Sequence, residues 1–595
     1  MRTITSLWAA AFSVCATVAS AQDVTLTVSP SDDDLVATLT AASASLTLER
    51  DGATAAQDYV AAARADYEQL LTGLYAEGYY GGTISILVDG IEAARLDPLA
   101  RRSSVTTVQL RVTPGPRFTF GRADVAPLAP GTTLPEAFAV GEVARAGVIS
   151  DAAANAVDEW RAIGRPLAEP VAQSISADHP EEALNVEVII DPGPELSFGA
   201  LIIEGNEAVR TDRIRDIAGL PEGVTYDPEL ITRAEANLRR TGAFSSATII
   251  EGDAPEGDTL PLTLSVVEQT PRRVGAGIEF SSVSGLTLSG FWMHRNLLGG
   301  AERLRIEGEV TGLSGGTGGV DYSLGATFLR PATFRQDTDF YANSLIEQQD
   351  EPAFFQRDFN IEAGIIRRLR NSGNVIEYGL GYQTGEVRDS DGERTYSLLY
   401  APVTGTTDRR NDPFDATSGY YATLTIAPFV GLSDTDDGVR IVGDARYYLS
   451  FGEEDRVTLA FRGQLGSVIG ADPTSVPADY LFFSGGGGTV RGQPYQSLAI
   501  DLGGGEERGG TSFFGAQLEA RVGVTDTIGV VGFYDVGLIS ADENPFSDNE
   551  MHAGAGLGLR YDTGIGPIRL DVATPTIGDD AGQRVEVYIG IGQAF

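Results

Sequence analysis

The sequence contains no lysine, so all 43 of its positively charged residues are arginines. A Walker-type phosphate-binding loop needs a lysine after its glycines, and that mode of nucleotide binding is therefore excluded. The chain carries 83 acidic residues and a formal net charge of −40. Because nucleic-acid-binding domains are basic, we expect no nucleic-acid partner.

Cysteine is nearly absent as well. The single cysteine, Cys15, lies within the apolar run Leu7–Val18, which precedes the small residues Ala19–Ala21. This arrangement is typical of an export signal, and we expect residues 1–21 to be a signal peptide. Its removal would leave no thiol, which excludes disulfides, zinc–thiolate sites and cysteine nucleophiles.

Histidines are scarce, which limits the possible catalytic sites of an enzyme. The three are His179, His294 and His552. The segment Gly312–Gly316 matches Gly-x-Ser-x-Gly, but it lies between two alternating strands without a following helix, so we interpret it as a turn. A barrel hydrolase stays open as an alternative only if His294 or His552 lies beside a serine. We predict no catalytic residue, no metal site and no cofactor.

The N-terminal half contains an internal repeat. The segment Gly115–Gly121 has the sequence Gly-Pro-Arg-Phe-Thr-Phe-Gly, and Gly193–Gly199 has Gly-Pro-Glu-Leu-Ser-Phe-Gly, 78 residues further on. Each follows one alternating strand and opens another. A third strand of this kind, Leu260–Glu268, ends the region.

These markers divide the region into three units, each predicted to contain a strand, two helices and two strands. The unit resembles the POTRA (polypeptide-transport-associated) domain, and the helix-Gly-aromatic-strand junctions with the Gly-Pro segments carry that resemblance. The predicted boundaries are 22–115, 116–194 and 195–272. Three generic α+β repeats are the alternative interpretation.

The region 273–595 has the pattern of a transmembrane β-barrel. After the signal, no run approaches the ~18 apolar residues of a membrane helix. Sixteen alternating segments of roughly ten residues are instead separated by Gly, Asp, Asn and Pro clusters, which fits an outer-membrane barrel with an even strand number. The last segment alternates up to Phe595, which looks like the C-terminal sorting signal of outer-membrane proteins. A plain sixteen-stranded pore is the alternative interpretation of this half.

One long segment, residues 469–510, lacks a credible strand. It contains the glycine run Gly485–Gly488 followed by Arg491, its first charged residue after the glycines. Glycine frees the backbone for conformations that other residues avoid. We therefore predict a loop folded back into a confined space, with one guanidinium held for a carboxylate.

The whole pattern resembles the BamA/TamA superfamily of outer-membrane assembly factors, and three POTRA units imply its TamA branch. The resemblance covers essentially all of the chain after the signal. The motifs that carry it are Asn296–Gly299, Val490-Arg491-Gly492, Phe533–Gly537, Gly566–Asp571 and Gly592–Phe595.

The resemblance implies a set of loop-anchoring residues. It implies that the loop lies in the barrel lumen and that Arg491 of the Val490-Arg491-Gly492 tripeptide pairs with Asp535, with Glu519 as a second acceptor. An aromatic residue usually follows Arg-Gly in this family, whereas this chain has Gln493, and Tyr495 is the candidate substitute.

The resemblance also implies a function and partners. The family has a weak lateral seam between the first and last strands, which here carry Gly275 and Gly277 on one side and Gly590 and Gly592 on the other; glycine weakens strand interiors. Close packing of the barrel wall is the alternative reading of these glycines. The implied activity is insertion of autotransporter-like barrel proteins into the outer membrane, with the POTRA units in the periplasm. The implied partners are unfolded outer-membrane proteins, outer-membrane lipid and a TamB-like inner-membrane subunit bound by the first unit. A two-partner secretion transporter is the runner-up.

Overall fold

The structure is a computed structural model, and it describes residues 23–97, 102–252, 257–281, 285–313, 318–369, 372–452, 455–525, 527–564, 566–578 and 581–595. The predicted signal peptide and most of the Gly-x-Ser-x-Gly segment therefore lie outside the described residues. The chain forms two compact units: residues up to 200 with 222–229 and 252–261, and residues 201–221, 230–251 and 262–595.

The first module is a four-stranded sheet packed against helices. Its strand order is β1-β4-β2-β3, with β1 parallel to β4. Helix α1 is capped by Asp32, whose carboxylate accepts from the backbone N–H groups of Asp34 and Leu35 and so satisfies two otherwise unpaired donors. The elements are β1 (Asp23–Val28), α1 (Asp33–Ala42), α2 (Ala44–Arg50), α3 (Ala56–Ala76), β2 (Thr83–Val88), β3 (Ile91–Glu92) and β4 (Thr107–Thr113).

The second module has one helix where we expected two. Its sheet has the order β5-β7-β6. Serine is a common helix cap, and Ser150 is the serine at which the sequence predicts that this helix begins. The prediction is wrong, because α4 begins at Ala146 and the Ser150 hydroxyl donates to the Ala146 carbonyl inside the helix. Residues 127–145, rich in Pro, Gly and Thr, form no helix. The elements are β5 (Thr119–Ala126), α4 (Ala146–Ala162), β6 (Glu169–Asp178) and β7 (Ala183–Asp191).

The third module has the predicted order of strand, two helices and two strands. Helix α6 begins at Pro228, where a missing N–H costs nothing, and Asp227 accepts from the Glu229 N–H. Alternation in β10 buries its even-numbered apolar residues from Leu260 to Val266. The elements are β8 (Ser197–Glu204), α5 (Thr211–Ala218), α6 (Pro228–Arg240), β9 (Phe244–Glu251) and β10 (Thr259–Glu268).

The remainder of the chain forms a large antiparallel sheet with sixteen strand positions. Within the described residues, seventeen strand segments take part, but β18 and β19 both lie between β17 and β20 and together occupy one position. Pro402, which has no N–H to donate, lies at their junction. The predicted number of sixteen strands is therefore confirmed.

The strands of this sheet follow one another in chain order, with a separate short hairpin, β23–β24, before β25. They are β11 (Arg272–Ser281), β12 (Gly285–His294), β13 (Arg303–Leu313), β14 (Asp321–Arg330), β15 (Thr338–Glu351), β16 (Phe354–Arg368), β17 (Val375–Asp389), β18 (Gly392–Tyr400), β19 (Val403–Asp408), β20 (Gly419–Gly431), β21 (Gly438–Phe451), β22 (Val457–Ile469), β23 (Ile500–Gly503), β24 (Glu506–Arg508), β25 (Ser512–Gly523), β26 (Ile528–Ser540), β27 (Asn549–Tyr561), β28 (Ile568–Ile577) and β29 (Glu586–Ile591).

Alternation along each strand separates an outer apolar face from an inner polar one. In β21, Tyr447, Leu449 and Phe451 are exposed, whereas Tyr448 is buried. The charged side chains of Asp444 and Arg446 share the inner face with Tyr448 because side chains two residues apart point the same way. Among the described residues, no helix is both long and apolar enough to cross a bilayer.

Candidate functional site

The long connection between β22 and β25, residues 470–511, has a mostly buried stretch at 476–493 and an exposed one at 501–507. Where we expected no strand, it contains the short hairpin β23–β24. Two isolated bridges, Phe482 with Gly510 and Ser484 with Leu498, draw its two arms together. The side chain of Arg491 is only 1% exposed, so this arginine lies in the lumen and not at a solvent-exposed loop tip.

Strand β26 supplies the surface on which the loop rests. Phe533, Asp535 and Gly537 alternate onto its inner face, whereas Tyr534 between them is 41% exposed on the outer face. Val490 of the loop is fully buried, and its methyl group lies 2.9 Å from the position that a Cβ at Gly537 would take. The Phe-x-Asp-x-Gly pattern therefore places the Phe533 ring, the Asp535 carboxylate and Gly537 on one face of β26. The missing side chain of Gly537 leaves room for Val490.

The Arg491 guanidinium binds two carboxylates at once. Its Nε donates to Asp535 Oδ2 over 2.7 Å, its Nη2 to Asp535 Oδ1 over 2.9 Å, and its Nη1 to Glu519 Oε1 over 2.5 Å. The Arg491 backbone N–H also donates to Asp535 Oδ2. The planar cation stacks 3.7 Å from the centre of the Phe533 ring. This two-pronged geometry is one that arginine, and not lysine, provides.

The ion pair extends into a cluster of six charged residues that sequence reasoning predicted only in part. Asp571 of β28 lies 3.5 Å from Arg491 Nη1 and binds Arg560 Nη1 at 2.5 Å. The second oxygen of Glu519 binds Arg521 Nη2 at 2.8 Å. Three guanidiniums thus face three carboxylates, and this balance offsets the large cost of removing each charge from water. Asp571 closes the Gly566–Asp571 motif, which was the available signal for it.

Close backbone approach explains two glycines of the cluster. Gly492 has φ +90°, and a Cβ there would lie 2.8 Å from the Thr574 backbone. A Cβ on Gly554 of β27 would lie 1.9 Å from the Arg491 carbonyl oxygen. The loop backbone therefore lies directly on β27 and β28, at a distance that only glycine permits.

Gln493, which stands where an aromatic residue was expected, anchors the loop by hydrogen bonds. Its Nε2 donates to the Ala553 carbonyl over 2.9 Å and to the Ile577 carbonyl over 2.7 Å. The β27–β28 register shifts at this point, as it does at a β-bulge. Tyr495 does not replace the expected ring at the cluster, because its hydroxyl donates instead to Glu351.

His552 contacts a serine, the arrangement on which the hydrolase alternative depended. Ser484 Oγ lies 2.7 Å from His552 Nε2. Ser484 is 1% exposed and His552 2% exposed, so both side chains of this contact are buried. We interpret the contact as a further hydrogen bond between the loop and β27. His294 lies elsewhere, accepting from the Asn296 N–H at the end of β12.

The four predicted seam glycines lie on the first and last strands or directly after them. A Cβ at Gly275 would lie 2.3 Å from the Phe291 ring and one at Gly277 would lie 2.7 Å from a serine hydroxyl of β12, so neighbouring side chains occupy their space. Gly590 lies in β29, whereas Gly592 follows it with φ +87°. The Cα atoms of β11 and β29 approach within 8 Å, but no ladder pairs them within the described residues.

The predicted final strand, which we expected to alternate up to Phe595, is too long. Strand β29 ends at Ile591, and the chain then turns inward. Phe595 is 8% exposed and packs with Tyr448 and Ala460 on the inner face of the sheet. The positive φ of Gly592 is the local feature that ends the strand.

The fold and this site define a class of protein: an outer-membrane β-barrel that follows small POTRA modules and holds a long loop in its lumen. The Omp85 superfamily domain matches residues 296–595, half of the chain, and the chain belongs to the Omp85 superfamily. The POTRA family, described as a surface antigen variable number repeat, matches residues 197–269, the third module. The protein accordingly resides in the outer membrane with its POTRA modules in the periplasm.

Individual relatives agree with this assignment. The outer membrane protein assembly factor BamA of Nitratidesulfovibrio vulgaris (strain Hildenborough) is 23% identical over 440 residues, covering 70% of this chain and 53% of the relative. The chain thus spans about half the length of that relative.

Two solved structures share the fold. BamA from Haemophilus ducreyi lacking POTRA domains 1–3 has a TM-score of 0.61 at 17% identity, covering 80% of this chain and 98% of that one. CdiB from Acinetobacter baumannii has a TM-score of 0.50 at 12% identity, covering 80% and 89%.

Proposed function

We propose that this chain is an assembly factor that inserts β-rich proteins, autotransporter-like barrels among them, into the outer membrane. The observation that carries the proposal is the buried Arg491 cluster, which fixes a lumenal loop beside the last strands of a sixteen-position barrel. A plain pore has no need of a neutralised six-residue charge cluster that costs desolvation to bury. The name of the Nitratidesulfovibrio relative, an assembly factor, supports the same reading.

The last strand favours lateral entry of a substrate. A strand that crosses a bilayer needs about 9 to 11 residues, whereas β29 has only six. At about 3.3 Å per residue, it spans roughly 20 Å of wall. A short wall thins the adjacent lipid, and an incoming strand can pair with a sheet edge there.

The second module offers a place for an unfolded substrate before insertion. Strand β6 is the outer strand of the β5-β7-β6 sheet, and all ten of its residues are exposed. An extended peptide can add to such an edge through main-chain hydrogen bonds and needs little specific sequence. Unfolded outer-membrane proteins are therefore the proposed partners of this edge.

Within the superfamily, we favour the TamA branch. Its support is the presence of three small sheets with helices before the barrel, although the middle module has lost one helix. The first module is the proposed docking site for a TamB-like inner-membrane subunit. The proposed activity is not enzymatic, and it uses neither cofactor nor metal.

Reconstitution of the full chain in lipid vesicles tests the proposal against its two alternatives. We expect protease-protected insertion of an added unfolded autotransporter barrel at a rate well above that of vesicles without the protein, and a strong loss of that rate in Asp535→Ala. A two-partner transporter would instead move a dedicated secreted substrate without inserting the barrel. Lipid cleavage without insertion would contradict the proposal and favour the hydrolase.

A further inference from the structure

Tyr588 forms a direct contact between the last strand and the lumenal loop. It lies in the middle of β29 and is 6% exposed, packed with Val531, Phe533 and Ala573. Its hydroxyl accepts the Gly492 backbone N–H over 3.1 Å. The same hydroxyl lies 3.4 Å from the Gln493 carbonyl, to which it donates. The ring therefore packs against residues of the barrel wall, whereas the hydroxyl forms hydrogen bonds with the loop backbone.

The segment that follows β29 is held by the same charge cluster. Arg521, which binds Glu519, donates from Nη2 to the Phe595 carbonyl over 3.1 Å. Arg560, which binds Asp571, donates from Nε to Gln593 Oε1 over 2.8 Å. Both carboxylates also face Arg491. The same charged cluster therefore contacts both the lumenal loop and the segment that follows β29.

Strand β29 is short and lies last in the described sheet. It pairs with β28 through only six residues, Glu586–Ile591. Its outward side chains Ile589 and Ile591 are each 65% exposed. The Tyr588 hydroxyl contacts the backbone of Gly492 and Gln493, so it is well placed to transmit loop movement to the strand.

We propose that Tyr588 is a positioning residue that couples docking of the lumenal loop to the position of the last strand at the seam. When the loop is docked, Gly492 and Gln493 hold the strand from the lumen. When the loop leaves β26, the hydroxyl loses its two backbone partners. Strand β29 then keeps its six-residue ladder, its apolar packing and the contacts of the following segment with Arg521 and Arg560. Coupling of this kind is reciprocal, so perturbing either member must loosen the other. The inference rests on the proposed seam for its functional meaning, but the coupling itself can be measured without any insertion assay.

Tyr588→Phe isolates the hydroxyl because the ring and its packing are retained. The matched control is Tyr447→Phe, which removes a phenol from the outer face of β21, where Tyr447 is 51% exposed. Spin labels at Ile278→Cys on β11 and Ile589→Cys on β29, both exposed outward, report the distance across the seam by pulsed electron resonance. Cys15→Ser removes the only natural thiol. Heat-modified migration on gels verifies that each barrel is folded.

We expect Tyr588→Phe to broaden the label distance distribution and to lower amide-exchange protection of loop residues 484–498 about tenfold, with no change in the control. Arg491→Ala, in which Tyr588 is intact, must broaden the same distribution, and it decides the matter if Tyr588→Phe fails to fold. Unchanged distributions in folded Tyr588→Phe or in Arg491→Ala would overturn the coupling. If the distance distribution broadens in the variants but the parent protein shows no insertion activity, the coupling stands and the proposed function is refuted.

Discussion

Replacing Arg491 measures how strongly the cluster holds the loop. In Arg491→Ala, the buried Asp535 would lose the guanidinium that binds both of its oxygens, and Glu519 would keep Arg521 but lose Arg491. Breaking a buried ion pair in this way costs about 3 to 5 kcal/mol. Because each 1.4 kcal/mol is a factor of ten, the docked loop should lose roughly 10²- to 10⁴-fold in stability.

Arg491→Lys separates charge from geometry. Lysine keeps the positive charge but cannot reproduce the fork that spans both oxygens of Asp535, and at least one charged hydrogen bond is lost. We expect a smaller loss, about 1.5 to 3 kcal/mol. The stability of the docked loop should therefore fall in the order arginine, lysine, alanine.

The assay is amide hydrogen exchange of residues 484–498 in the full-length protein in lipid, analysed by mass spectrometry. The control is Arg122→Ala, which breaks the half-exposed pairs of Arg122 with Asp124 and Glu187 and should change protection very little. If Arg491→Ala exchanged no faster than the parent, or if the lysine variant matched the alanine variant, the electrostatic account of the anchor would be wrong.

Two further predictions concern other parts of the chain. Gln493→Leu keeps the side-chain size but leaves two strand carbonyls without the amide donor, so we expect about 1 to 3 kcal/mol weaker docking in the same exchange assay; equal protection in both proteins would contradict the role of the amide. In the first module, the hydrogen bond from the Tyr67 hydroxyl lowers the pKa of Glu92, whose carboxylate also accepts from the β2 backbone. A lowered pKa stabilises the folded module above the normal glutamate range, and this contribution is lost as the pH falls through the lowered pKa. The amide-exchange protection of β2 should therefore decline over that acidic pH range in the parent protein and stay constant in Glu92→Gln. Identical pH profiles in the two proteins would show that the Glu92 carboxylate does not contribute to stability.

The number of barrel strands could be predicted because alternation and turn residues are local properties of the sequence. The helix content of the second module was predicted wrongly, because the repeat suggested a second helix and residues 127–145 are long enough to form one. Pro127, Pro130 and Pro135 in this segment oppose a helix. Proline and glycine there favour irregular backbone, and the spacing of the repeat concealed the difference. The structure thus corrects one helix without changing the order of the three modules.

The Arg491–Asp535 pairing and the second acceptor Glu519 were implied by resemblance, but Arg521 and Arg560 were not predicted. Periodicity shows which residues share a face of one strand, but it does not show which residues of distant strands meet inside a barrel. Arg521 binds Glu519 two residues away on β25, and Arg560 binds Asp571 on the neighbouring β28. Tyr588 of β29 packs with Phe533 of β26, three strand positions away along the sheet. Their own strands contain no local feature that separates them from ordinary inward-facing polar residues.

Gln493 shows how a departure from a family pattern can be misread when it is judged only by residue type. An aromatic ring at this position would stabilise the loop by apolar contact, so its absence looks like a loss. In this chain, however, the β27–β28 register shift presents the Ala553 and Ile577 carbonyls to the loop, and an amide is the side chain that can donate to both. A ring would leave those buried acceptors without this donor. The glutamine and the irregular ladder are therefore matched to one another, and replacing Gln493 by the expected aromatic residue should weaken the anchor instead of restoring it.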